Sequence, residues 1–188
     1  MHRLSRILRN AFLIAVLVGL WAPLGGYAQT QRALLIGIDT YASDDGTSRG
    51  STRGWTNLDG AVNDARTMQA LLVSRFGFEE DNTTLLLNRD ATREGILAAV
   101  RTHLIEQAEA GDEVVFFYAG HGSQVKNTAS TEADRMDETI VPSDAHLGVQ
   151  DVRDKEMRQL FGELLDRGVE LTLIYDSCHS GSVTRGVA

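Results

Sequence analysis

A single cysteine, no apolar run long enough to cross a bilayer and a shortage of positive charge narrow what this 188-residue chain can be. With only Cys178, no internal disulfide framework is open to it. The longest apolar stretch, Ala11 to Leu24, has 14 residues, against roughly 20 for a spanning helix. There is no repeat period and no low-complexity tract, which removes solenoids and linkers. What remains is ordinary for one globular domain: 43% hydrophobic and 23% charged residues.

The first 28 residues differ from the rest. Arg3, Arg6 and Arg9 precede the apolar run, and Gly26-Tyr27-Ala28 follows it, the order of a secretory signal peptide. The expectation is residues 1–28 as signal peptide and 29–188 as one catalytic-type domain, exported to a periplasm or outside the cell. After cleavage no membrane association is expected. This leader holds 3 of the 18 Lys and Arg residues and none of the 26 Asp and Glu residues, so the remainder carries 15 positive against 26 negative side chains. Such a surface excludes nucleic acid as the expected partner, because phosphates need cationic contacts. It suits cationic substrates, with steering that salt screens.

Strand-like and helix-like segments then alternate. Ala33 to Ile38, Thr83 to Leu87, Glu113 to Tyr118 and Val169 to Tyr175 are short apolar runs of the kind buried on both faces of a sheet. Between them, Val62, Ala65, Met68, Leu72 and Phe76 fall at helical spacing, as do Ile96, Leu97, Val100, Leu104 and Ile105, and a third helix is expected over 154–165. Residues 43–57 read as a loop, and 123–150 as a polar loop or small hairpin outside the main sheet. The class is α/β, with a mainly parallel central sheet covered by helices on both sides.

Two strand ends carry chemistry. The third runs into Tyr118-Ala-Gly-His-Gly-Ser123 and the fourth into Tyr175-Asp-Ser-Cys-His-Ser-Gly181. Ligands of parallel sheets bind beyond the carboxyl ends of the strands, so His121 and Cys178 belong to one rim if their strands are neighbours. A thiol beside an imidazole supplies a nucleophile and a proton carrier for acyl transfer. Gly122 and Cys178 are the candidate backbone donors to an oxyanion. His121 could instead be a backbone-bonded turn residue, and Cys178 a structural thiol. His179 has neither a second cysteine nor ligand spacing beside it to make a metal site. His103 and His146 read as surface residues.

The Gly-His-Gly and Asp-Ser-Cys-His-Ser-Gly segments, with Gly60-Ala-Val-Asn-Asp-Ala65, resemble metacaspases and bacterial orthocaspases, caspase-like cysteine peptidases. The 57 positions from His121 to Cys178 are close to the caspase spacing of about 50. The resemblance runs from about Gln31 to the C-terminus. It implies a caspase-like three-layer sandwich, and a large-subunit-like part whose C-terminal strands are missing, to be supplied by a small-subunit-like portion. It implies a Cys178–His121 dyad cleaving polypeptides after Arg or Lys, with Asp64 and Asp176 binding the basic P1 side chain. Arg185 is then a candidate self-processing site. The chemistry needs no cofactor, but the resemblance also implies calcium as an activator, held by Asp137 and Asp154 with Asp151 nearby. A solvated acidic loop is the alternative for those three. Two positions depart from the family: Ala119 where it has serine, and Lys155 where a second aspartate is frequent. A non-catalytic caspase-like binding or regulatory module is the second functional reading, and an Asp- or Asn-directed peptidase the third.

Overall fold

The computed structural model describes residues 29–41, 55–129 and 133–177. The leader, most of the expected 43–57 loop, Cys178, His179 and Arg185 lie outside them. No helix among the described residues is long and apolar enough to cross a membrane.

Four parallel strands form the centre: β1 (Gln31–Gly37), β2 (Thr83–Leu87), β3 (Glu113–Ala119) and β7 (Glu170–Asp176), in the order β2-β1-β3-β7. Residues β4 (Gly122–Lys126), β5 (Met136–Ile140) and the two-residue β6 (Val152–Arg153) make a separate antiparallel sheet. The expected loop or hairpin of 123–150 is thus a hairpin extended by a third short strand. Its pattern is hard to read because β4 and β5 alternate polar with buried residues such as Asp137 and Thr139 rather than with aliphatics.

Three helices cover the main sheet. Helix α1 (Ala61–Leu71) continues as a π turn through Phe76 and stops at Gly77, which takes a left-handed φ of 83°. Helix α2 (Arg93–Ala99) also runs into a π turn, Val100–Ile105, and starts where the Thr92 hydroxyl accepts the Gly95 N–H. Helix α3 spans Asp154–Asp166.

Strand alternation sorts the core into two layers. Leu34, Ile36, Phe116 and Tyr118 point to α2 and α3, where Ile96, Leu104, Phe161 and Leu164 meet them. Ala33, Leu35, Val115 and Phe117 point the other way, to Ala61, Ala65 and Leu72 of α1. Helices on both faces of a parallel sheet make the three-layer α/β sandwich expected from sequence. The first turn of α1 lies so close to β1 that a Cβ on Gly37 would stand 2.5 Å from the Ala61 carbonyl oxygen. Asp39 fixes that turn from the strand side by accepting the Ala61 N–H at 2.8 Å.

Candidate active site

The carboxyl ends of three strands are level. Gly37 of β1 is in register with Ala119 of β3, and Ala119 with Asp176 of β7. The two chemistry-bearing segments therefore leave neighbouring strands at the same edge, as the sequence reading requires. His121 stands two residues past the end of β3, and Cys178 follows Asp176 by two positions in sequence.

His121 is held on every side. Its backbone N–H donates to the Tyr41 hydroxyl at 2.8 Å, and its carbonyl accepts from the Val141 N–H at 2.9 Å and the Tyr118 hydroxyl at 2.8 Å. The two phenols touch at 3.4 Å. Tyr118 has one proton to share between the His121 and Val141 carbonyls, so Tyr41 is left to donate to Tyr118. Both phenols are buried. Burial pushes Tyr41 up to about 12 and Tyr118 well above the usual tyrosine range, so both stay protonated donors at neutral pH. Gly120 makes this closeness achievable, because a Cβ there would meet the Tyr41 and Tyr118 hydroxyls at 2.5 and 2.7 Å.

The imidazole is oriented as tightly as its backbone. The rings of Tyr41 and Trp55 lie 4.7 and 4.9 Å from it. Nε2 is 2.8 Å from the Thr56 carbonyl oxygen. A carbonyl only accepts, so Nε2 carries the hydrogen and Nδ1 is the nitrogen left to take a proton. Tyr41, Trp55 and Thr56 were not singled out from sequence. Their roles come from contacts across 65 to 80 positions, although a tyrosine facing inward at the end of the most apolar strand was a usable signal for Tyr118.

Asp64 and Asp176 share a region. Asp176 has the strand parity of Ile174 and Ala119, which face α1, whereas Tyr175 faces the opposite layer. Asp64 lies in the first turn of α1, the turn pressed onto Gly37. Both carboxylates are exposed on the α1 side of the carboxyl rim. Gly122 is buried and opens β4 opposite Ile140. Ala119, the departure from serine, is buried at the end of β3.

The three acidic candidates for calcium are buried, with Asp137 and Asp154 each 1% and Asp151 3% exposed, so they form no solvated loop. Two of the three already accept hydrogen bonds, whereas neither oxygen of the Asp154 carboxylate does among the described residues. Asp151 accepts the Thr139 hydroxyl at 3.1 Å, and Asp137 is saturated by Asn127, Arg153 and Lys155. No three acidic, histidine or cysteine side chains converge on a common point among the described residues. His103 is exposed as expected, but His146 is half-buried, with Nδ1 2.9 Å from the Ser143 carbonyl oxygen.

The family model for the metacaspase, peptidase C14 domain matches residues 31–185. The chain belongs to the metacaspase family. It is 38% identical over 158 residues to Metacaspase-1 of Mycosarcoma maydis, 33% over 157 to Metacaspase-1 of Schizosaccharomyces pombe and 37% over 159 to Metacaspase-7 of Arabidopsis thaliana. These alignments cover 80–81% of this chain and 34–36% of the relatives. A solved protein from Geobacter sulfurreducens matches with a TM-score of 0.63 at 29% identity, covering 82% of this chain and 52% of that one. This metacaspase sequence therefore spans about a third of the length of its curated relatives.

Proposed function

We propose that this metacaspase is a cysteine endopeptidase that cleaves polypeptides after Arg or Lys, with Cys178 as nucleophile and His121 as proton carrier. The observation that carries the reading is the His121 ring, fixed at the carboxyl edge with Nε2–H committed to Thr56 and Nδ1 without a hydrogen-bond partner among the described residues. Its neighbour β7 leads in two residues to the cysteine.

In the reaction, the Cys178 thiol proton passes to Nδ1 and the sulfur attacks the scissile carbonyl. The oxyanion is met by the N–H groups of Gly122 and Cys178. Collapse breaks the C–N bond, the leaving amine takes the proton from His121, and an acyl-thioenzyme remains. Water then attacks, losing a proton to His121, and the thiol departs as the acid is released. No cofactor enters these steps. The exposed carboxylates of Asp64 and Asp176 bind the P1 guanidinium or ammonium. Residues 1–28 direct export to a periplasm or the cell exterior, and Arg185 is a self-cleavage site. A small-subunit-like C-terminal portion completes the cleft.

The test is hydrolysis of Arg-ended and Asp-ended fluorogenic peptides by the full natural protein and by Cys178→Ala. Arg-directed cleavage that disappears in the variant supports the proposal. A folded protein inert toward both peptides would instead point to a binding module. N-terminal sequencing of exported protein should begin at Gln29, and an intact leader on it would refute cleavage there.

A further inference from the structure

The junction of β5, β6 and α3 contains a lysine where a cation of another kind is expected. Lys155 Nζ hydrogen-bonds Asp137 Oδ1 and stands 3.6 Å from Asp154 Oδ2. Arg153 reaches Asp137 Oδ2 at 3.2 Å, Arg158 reaches Asp154 Oδ2 at 3.5 Å, and Asn127 Nδ2 spans both Asp137 oxygens at 2.9 Å. Burial would raise Asp137, but hydrogen bonds from Lys155 and Asn127 hold it below the usual carboxylate range. Asp154 goes the other way, raised by burial against the opposing charge of Lys155.

We propose that Lys155 is a tethered cation taking the place of calcium between Asp137 and Asp154, so that this junction is ordered without metal and does not respond to it. Four observations support this. Asp137 has no acceptor site to spare, whereas calcium takes six to eight oxygen ligands. Three cationic side chains already stand within ion-pair distance of the two carboxylates, although neither Asp154 oxygen accepts a hydrogen bond among the described residues, so a dication would enter an environment of its own sign. A cation in the first turn of a helix opposes the helix dipole, so Lys155 is not there to support α3, whose first turn is otherwise acidic. Finally, 16 of the 18 basic residues are arginine, and Lys155 is one of two lysines. An ammonium is a compact point charge that fits between two carboxylates as a metal ion does, and a planar guanidinium is not.

The inference stands apart from the peptidase reading, because its readout is stability and calcium binding in the full natural protein. Wild type should melt at the same temperature in chelator and in about 1 mM calcium, a concentration that fills weak extracellular sites. Lys155→Met, which keeps length and removes charge, should melt lower by about 5 °C or more in both buffers. Lys155→Asp should be destabilised in chelator and recover with calcium, with saturable binding by calorimetry. A calcium-induced rise in wild type that Asp137→Asn abolishes overturns the proposal, as does a Lys155→Met protein that melts with wild type.

Discussion

The hydroxyl of Tyr41 lies 2.8 Å from the backbone nitrogen of His121, and together with Tyr118 it fixes the peptide that carries the imidazole. A side chain from beyond β1 thus holds a residue from beyond β3, an interaction that exists only because those strands are neighbours.

Removing that hydroxyl separates positioning from binding. Tyr41→Phe leaves the part-buried His121 N–H without its acceptor, at a cost of about 1 kcal/mol in stability. The ring contact with His121 survives, so the protein should still fold. The expected kinetic signature is a fall in kcat with KM nearly unchanged, read alongside a lower midpoint of thermal unfolding. A stability loss with kcat intact would make Tyr41 purely structural.

Gly120→Ala should be more damaging. The new methyl would meet two hydroxyls at 2.5 and 2.7 Å, and both belong to buried rings with little freedom to retreat. Overpacking of this kind costs roughly 1–3 kcal/mol. Loss of the phenol contacts to His121 adds to it, and peptidase activity should fall at least as far as in Tyr41→Phe. Urea unfolding and peptide hydrolysis measure the two effects.

Asp64→Asn and Asp176→Asn should leave the melting temperature unchanged, since both carboxylates are exposed. Each should reduce kcat/KM for Arg-ended peptides by roughly fivefold, about 1 kcal/mol for a solvated ion pair, and the loss should shrink in high salt. Equal loss on a peptide with a neutral P1 residue would remove both from the specificity pocket.

Asp112 offers a stability control away from the rim. It is buried, accepts the Thr30 and Glu109 N–H groups at 2.9 and 3.0 Å, and lies 3.5 Å from Arg32 Nε. Asp112→Ala leaves two backbone donors unpaired, which costs about 2–4 kcal/mol in denaturant unfolding. Activity per folded molecule should be unchanged.

The sequence by itself determined the elements and the two reactive strand ends. Apolar runs at 33–38, 83–87, 113–118 and 169–175 match four strands to within two residues at either end, because burial on both faces leaves a continuous apolar signature that needs no knowledge of neighbours. Helical stripes marked α1 and α2 for the same reason, and the glycines around His121 marked a turn. Tertiary structure decided everything that depends on which strand lies beside which. The β2-β1-β3-β7 order brings Tyr41 to His121 across 80 positions. The third small strand and the Lys155 contact to Asp137 arise where polar side chains pack in a buried setting, a placement that periodicity does not signal. Periodicity reports which face of an element avoids water. It carries no information about the partner across the gap, and hydrogen bonds between distant residues are fixed only when the whole chain has chosen its packing.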